Sequence, residues 1–274
     1  VLGSIGSNAF KGVTATVYYP GLDVDWANVE KKNYGGTLTW MPEVSGKGGV
    51  LGHNMVWQLE SSTLTIVGKG NMGGWQSGVE NPPWYAYRND IKKVVITGSI
   101  YCIYTGAFRD MPNLTEIKWP SNLNIIYSSA FYNCTGLTKL EIPDSVYTIS
   151  DYAFYGCTSL ESVTIPEGVT SITHCVIDGK YIGAFQHCNS LTSINLPEGL
   201  EKIDECAFMG CSALPKFTLP STLKYIGPSA FTNTKNTGTE AFIHNESVMY
   251  MPTSDLKSWV VLAYFTVVNA DLPD

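Results

Sequence analysis

The chain has 274 residues, of which 44% are hydrophobic and only 15% are charged, and its formal net charge is −7. Its cations are not clustered beyond pairs such as Lys31-Lys32, so the counterion release that drives nucleic-acid binding is not expected. No run of about 18 apolar residues occurs, and we therefore expect no membrane insertion.

The N-terminal segment carries a fragment of a pattern that recurs later. IGSNAF (5–10) matches the phase of IGPSAF (226–231), and TVYYP (16–20) is similar to VMYMP (248–252) near the other end. We predict that residues 1–42 are the last coil and cap of an upstream repeat array, so that the natural chain extends before Val1. Residues 246–274 are predicted to be the C-terminal cap of a second array.

Residues 43–97 are predicted to form a small β module. NMVWQLE (54–60) and STLTIVG (62–68) alternate apolar and polar residues around a short turn, which indicates a hairpin. IKKVVI (91–96) already has the pattern of a first repeat strand. Because the end of a repeat array exposes apolar surface, this module is predicted to cover it.

A repeat of 23 residues dominates the remainder, over residues 98–245. The dipeptide Ala-Phe recurs at steps of 23, 23, 31, 23 and 23, and the long step contains eight extra residues, His174 to Tyr181. Each of the first five copies continues with a Leu seven residues after the Ala and a short alternating run that ends in proline, such as LTKLEIP (137–143). A single copy cannot bury its apolar face, but stacked copies make a continuous core.

Most of the cysteines follow the same period. The position four residues after each Ala is occupied by Met111, Cys134, Cys157, Cys188, Cys211 and Thr234. We predict buried thiols rather than disulfides, because side chains in one column run parallel, which is poor bridging geometry. Zinc is not expected either, because a column does not arrange four ligands as a tetrahedron.

Over residues 91–235 the motif L-x-x-I-x-I-P, followed by V-x-x-I-x-x-x-A-F-x-x-C, resembles the BspA-type leucine-rich repeat of bacterial surface proteins. The resemblance implies an α/β-type repeat solenoid, built of β-dominated leucine-rich repeats of 23 residues, with a small β capping module. It also implies an extracellular or cell-surface location in a bacterium and a binding or adhesion role.

No catalytic constellation is found in the sequence. HExxH, GxSxG and phosphate-loop motifs are absent, and the acidic residues have no paired spacing. Cys188 follows His187, but neighbours in an extended coil point in opposite directions. We therefore predict no enzyme, no cofactor and no metal. Among the histidines, His174 is singled out because it begins the insertion.

Tyrosines are the candidate ligand-binding residues. Tyr104, Tyr127 and Tyr181 each stand three residues before an Ala of the repeat, and Tyr132 and Tyr155 each follow a Phe. Exposed aromatic rings stack on sugars and anchor protein interfaces, although the same rings could instead pack along the ridge between coils. The outward positions of the strands show no distinctive feature. Lys118 and Glu141, and Glu116 and Lys139, are expected to form ion pairs across neighbouring copies.

The predicted function is therefore a binding or adhesion module whose partner is a protein or a glycan. The alternative is an architectural spacer of a larger surface protein, with no ligand of its own. We expect a monomer, with a swapped dimer through residues 1–42 as the alternative assembly.

Overall fold

The computed structural model describes residues 5–23, 26, 31–43, 46–51, 55–72, 81–215, 217, 219–235 and 249–250. In this part of the chain the structure is a strand-rich repeat fold with 18 strands and one short 3-10 helix, Tyr85–Tyr87. Of the predicted C-terminal cap, only Met249–Tyr250 falls among the described residues. No helix of the described part is long and apolar enough to cross a membrane.

The N-terminal segment contains a parallel strand pair, β1 (Thr14–Pro20) and β2 (Thr37–Glu43). Thr14 pairs with Thr37, so the two strands are offset by the same 23 residues as the later repeats. Tyr19 is buried, with its ring 6.1 Å from Trp26 and 6.5 Å from Trp40.

The predicted hairpin between residues 54 and 68 is confirmed. Strands β3 (Lys47–Leu51), β4 (Met55–Glu60) and β5 (Thr63–Asn71) are antiparallel neighbours. Ser61 and Ser62 make the two-residue turn with φ of 47° and 65°, as primed hairpin turns require. β5 then pairs in parallel with the long strand β6 (Lys93–Ile103), so one sheet continues across residue 97 into the repeats.

The described repeats contribute two sets of short strands. The first set is β7 (Glu116–Lys118), β9 (Lys139–Glu141), β11 (Ser162–Thr164) and β15 (Ser193–Asn195). The second set is β8 (Ile125–Ile126), β10 (Thr148–Ile149), β12 (Ser171–Ile172), β16 (Lys202–Ile203), β17 (Tyr225–Ile226) and β18 (Met249–Tyr250). In the first set β9, β11 and β15 pair in parallel and in register while β7 pairs with β6, and the second set is parallel and in register throughout. β6 pairs with both β7 and β8 and thus supplies both strands of the first copy.

The Ala-Phe dipeptides form the centre of the core, as the period predicts. All six Phe rings are buried, and successive rings lie 5.2–5.4 Å apart. The backbone N–H of each Phe donates to the carbonyl of the next Ala, as Phe131 does to Ala153 at 2.8 Å. Trp84 continues the column beyond Phe108, with ring centroids 5.9 Å apart, and its Nε1–H donates to the Ala107 carbonyl at 2.7 Å.

The cysteine column has a definite hydrogen-bonding role. Each thiol donates to the carbonyl of the Phe in the preceding copy, at 3.0–3.3 Å, from Cys134, Cys157, Cys188 and Cys211 to Phe108, Phe131, Phe154 and Phe185. All seven cysteines are free thiols. The carbonyls of Phe131, Phe154 and Phe185 also accept the backbone N–H of the cysteine in their own copy, so the thiol is a second donor to the same buried oxygen.

One position of the repeat requires left-handed backbone. Three residues after each Ala, φ lies between 55° and 79°, at Asp110, Asn133, Gly156, His187, Gly210 and Asn233. Glycine, asparagine and aspartate tolerate this region better than other residues. Each of the first five donates its N–H to a carbonyl of the following copy, as Gly156 does to Gln186 at 2.9 Å. This turn therefore belongs to the scaffold that orients the neighbouring tyrosines.

Candidate binding surface

The eight-residue insertion folds as a β-hairpin. β13 (His174–Ile177) pairs antiparallel with β14 (Lys180–Gly183). Asp178 and Gly179 form its turn with φ of 50° and 74°, which is the conformation that Asp-Gly favours between two strands. The Phe154 N–H still donates to the Ala184 carbonyl at 2.9 Å, so the insertion leaves the packing of the repeats intact.

The hairpin exposes apolar side chains to solvent. Val176, Ile177 and Tyr181 are 53%, 49% and 50% exposed. Val176 lies directly opposite Tyr181, so these two side chains share one face, while Ile177 points to the other. Because exposed apolar groups that lie together mark interaction sites, the hairpin is the strongest candidate for contact with a partner.

The structure separates Tyr181 from Tyr104 and Tyr127. Tyr127 follows β8 directly, and the equivalent residue after β12 is Thr173, whose Oγ1 donates to the Ile149 carbonyl at 3.2 Å. The extra residues come after Thr173, so counting back from Ala184 assigns Tyr181 to a column that it does not occupy. Its ring instead lies 5.3 Å from that of His174.

Tyr104 and Tyr127 form a first pair, with ring centroids 5.1 Å apart. Both are half-buried, and Tyr104 packs against the core. The nearby Cys102 thiol, followed by burial and the hydroxyls of Tyr104 and Tyr147, raises the pKa of Tyr127. Tyr147 is 51% exposed, so this group offers a partner more ring surface than the pair alone.

Tyr132 and Tyr155 form a second pair that reaches the hairpin. Their rings are parallel and 5.1 Å apart, and the ring of His187 meets Tyr155 edge-on at 5.3 Å. Tyr152 contacts both tyrosines. Burial, and next a hydrogen bond with the Cys175 thiol of the hairpin, raise the pKa of Tyr152. The second pair therefore adjoins the face of the hairpin that carries Cys175 and Ile177, with the buried Tyr152 ring between them, whereas Tyr181 lies on the opposite face. The stacked faces of Tyr132 and Tyr155 are occupied by each other.

Sequence reasoning missed Val176 and Ile177 as exposed residues of the hairpin, and Tyr152 as the buried ring beside it. The signal for the first two was present, because VIDGKY (176–181) places Asp-Gly between β-forming residues. Tyr152 gave no such signal, since its contact with the hairpin depends on where the insertion folds.

The outward strand positions carry charges that are satisfied locally. The expected pairs across neighbouring copies are not formed: Glu116 instead lies 2.5 Å from Lys93, and Glu141 pairs with Lys139 of its own strand. The strands are only three residues long, so long side chains reach partners along the strand as easily as across it. Exposed pairs of this kind contribute about 0–1 kcal/mol, which leaves a polar face without a distinctive feature.

The residues that could suggest thiol chemistry are in the core. Cys188 is fully buried and donates to the Phe154 carbonyl, and desolvation raises its pKa well above the ordinary value. The thiolate is the nucleophilic form of a cysteine. A buried thiol with a raised pKa does not form it readily, so Cys188 and His187 are not a nucleophilic pair. An open groove of about 400 Å³ lies beside β15, and among its described lining residues Glu198 is the one ionisable group.

One group of side chains in the described part of the chain could hold a metal ion. His174, Asp204 and Glu205 bring one ligand atom each to within 4.8 Å of one another. The group lies at the base of the hairpin.

Comparisons with known proteins agree with the repeat pattern. The family model described as the BspA type leucine rich repeat region matches residues 83–182 and 180–259, with six copies. No curated protein matches the chain.

Among solved structures, the chain is similar to a leucine-rich cell surface protein of Faecalibacterium prausnitzii, with 29% identity and a TM-score of 0.50, over 74% of this chain and 55% of that one. A leucine-rich repeat protein of Bacteroides ovatus has 20% identity and a TM-score of 0.46, over 72% and 65%. The pneumococcal vaccine antigen PcpA has 17% identity and a TM-score of 0.30, over 90% and 58%. The chain thus spans 55% to 65% of the length of these proteins.

Proposed function

The chain belongs to the BspA-type leucine-rich repeat family, and on that premise we propose that it is a non-enzymatic binding or adhesion module of a bacterial cell-surface protein. The similar protein of Faecalibacterium prausnitzii is described as a cell surface protein, which supports the extracellular location. In the described residues, the buried thiols and the groove with a single carboxylate support a role without catalysis.

The proposed architecture is a solenoid with a capping module. The parallel, in-register strands and the continuous column of Phe rings support a solenoid over residues 98–245. Residues 43–97 are proposed to cap it, because Trp84 covers the ring of Phe108 at the start of the column. Residues 1–42 remain proposed as the end of an upstream array, and residues 246–274 as the C-terminal cap.

The exposed hairpin is the observation that carries the binding proposal. An aliphatic pair, Val176 and Ile177, is half-exposed beside Tyr181 on an insertion that the packing of the repeats does not need. Aliphatic side chains gain from burial against another apolar surface, whereas sugars are recognised mainly by aromatic faces and polar groups. The proposed partner is therefore a protein, contacted by the hairpin together with the Tyr132 and Tyr155 pair next to it.

A glycan partner would use Tyr132, Tyr155 and Tyr181, and a spacer would use none of these groups. The spacer alternative gives no reason for keeping Val176 and Ile177 in contact with water. The proposed assembly is a monomer, and light scattering that gives twice the chain mass would instead support the swapped dimer.

The proposal is tested by binding to immobilised fibronectin, collagen and mucin. A hairpin variant, Val176→Ser with Ile177→Ser and Tyr181→Ser, is expected to bind at least about tenfold more weakly, since removing interface anchors costs more than about 1 kcal/mol each. The matched control is Tyr104→Ala with Tyr127→Ala, which leaves the hairpin unchanged and is expected to bind as the parent does.

Unaltered binding by the hairpin variant, with folding intact by circular dichroism, would refute the hairpin as the contact site. Loss of binding after enzymatic deglycosylation of mucin would indicate a glycan partner. Binding to none of these proteins would favour the spacer.

A further inference from the structure

Three ligand-type side chains from two repeats converge at the base of the hairpin. His174 is the first residue of β13, and Asp204 and Glu205 directly follow β16 in the next copy. The side chains of Asp204 and Glu205 are 7% and 15% exposed, and that of His174 is 20% exposed. Ionisable groups this well shielded require a compensating partner, because desolvation penalises their charged forms.

Their geometry is not that of an ordinary hydrogen bond. His174 Nδ1 lies 2.7 Å from Glu205 Oε2 and 3.4 Å from Asp204 Oδ2. Nevertheless, His174 Nδ1, Glu205 Oε2 and Asp204 Oδ1 are all inaccessible to solvent and none of them has a directed hydrogen bond. No hydrogen lies along the line between His174 Nδ1 and Glu205 Oε2, so a hydrogen bond does not explain their approach, and a shared third atom is the alternative.

The other oxygen of each carboxylate is held by a separate group. The Lys202 ammonium lies 2.7 Å from Asp204 Oδ1 and pairs with it by charge rather than by a directed hydrogen bond. The Tyr225 hydroxyl donates to Glu205 Oε1 at 2.9 Å. Orientation of ligating carboxylates by outer partners is characteristic of metal sites.

We propose that His174 Nδ1, Asp204 Oδ2 and Glu205 Oε2 bind one divalent transition-metal ion, of which zinc is the best match. Zinc takes nitrogen and oxygen ligands at about 2.0–2.2 Å, and three protein ligands leave a fourth position for water or a partner's group. Tetrahedral ligands are then about 3.3 Å apart, so Nδ1 and Oε2 need to separate by about half an ångström.

The charges also suit a dication. Two carboxylates and one ammonium leave this group with a net charge of −1 when His174 is neutral, as a nitrogen ligand must be. The ion would join the hairpin to the next repeat through the first residue of β13. Sequence spacing gave no sign of it, because His174 and Asp204 are 30 positions apart and meet only through the stacking of two copies.

The test uses the whole chain, stripped with a chelator and titrated with Zn²⁺ by calorimetry and with Co²⁺ by visible spectroscopy. One equivalent of Zn²⁺ and cobalt bands of low-symmetry nitrogen and oxygen coordination are expected. His174→Ala should lower the affinity by more than about 100-fold, and Tyr225→Phe by about 10- to 100-fold through loss of the outer donor.

Two further variants make the result unambiguous. Glu205→Gln keeps the side-chain shape and should also abolish tight binding, so a folding defect of His174→Ala would not decide the outcome. His187→Asn is the matched histidine control, because asparagine accepts the left-handed backbone at that position, and it should bind as the parent does. Absence of stoichiometric binding, or binding unchanged by His174→Ala and Glu205→Gln, would show that the three groups form an ion pair only.

Discussion

The left-handed position of the repeat makes a sharp prediction at Gly156. Its φ is 70°, and a Cβ added there would lie 2.3 Å from Oδ1 of Asn133 in the preceding copy. Gly156→Ala is therefore expected to destabilise the fold. Gly168→Ala is the matched control, because φ at Gly168 is not in the left-handed region and the nearest atom to an added Cβ is the Val146 carbonyl oxygen at 3.4 Å.

The magnitude has two parts. Left-handed backbone costs an alanine about 1–2 kcal/mol. Displacing the Asn133 side chain also endangers its 3.3 Å hydrogen bond to Asp110, which contributes about 1 kcal/mol. The free energy of unfolding should thus fall by about 2–3 kcal/mol for Gly156→Ala. For Gly168→Ala it should stay unchanged or rise by about 0.4–1 kcal/mol, because alanine restricts the unfolded chain.

Urea unfolding followed by circular dichroism measures both changes. With a slope of about 2–3 kcal/mol per molar urea, Gly156→Ala should move the midpoint down by about 1 M, and Gly168→Ala should leave it in place or raise it slightly. The reasoning fails if Gly156→Ala is as stable as Gly168→Ala, since neither the backbone nor the contact with Asn133 would then constrain this turn.

Two further predictions concern the Phe column and the cysteines. Phe154 is stacked between Phe131 and Phe185, so Phe154→Ala should lower the free energy of unfolding by about 3–5 kcal/mol in the same assay; a loss below about 1 kcal/mol would contradict a packed column. Burial raises the pKa of Cys175 to about 11 from an ordinary 9.0, so at pH 8 its thiolate fraction should be about 100-fold below that of a free cysteine. A disulfide reagent should label Cys175 first in the native chain, at a rate that rises about tenfold per pH unit up to about pH 11, and should label the cysteine column only after unfolding. Rapid native labelling of Cys157 would contradict the buried column.

The repeat fold could be read from the sequence because its signals recur in phase. The Ala-Phe period predicted the stacked rings, and the alternating runs predicted strands that the structure pairs in register. The same core positions recur in every copy, so single exceptions do not hide the pattern. Met111 at the cysteine position and Trp119 at the aliphatic position before the proline are two such exceptions.

The candidate surface was less predictable, for physical reasons. Tyr181 was assigned by counting back along the chain, but an insertion changes which residue occupies the column, and the hydrogen bonds select Thr173. The meeting of His174 with Glu205 depends on how far the hairpin base leans toward the next copy. A linear pattern does not encode that distance.

The way the hairpin leaves and rejoins the chain has a consequence for how such proteins can vary. Its two strands run antiparallel, so the two ends of the insertion lie close together. The N–H of Phe154 donates to the carbonyl of Ala184, as in the repeats that have no insertion. Any segment whose two ends lie as far apart as those of the hairpin could replace it without altering the hydrogen bonds between the repeats. The segment at this one junction can therefore diversify while the stacked copies stay unchanged, and the same junction offers a place to graft a foreign loop.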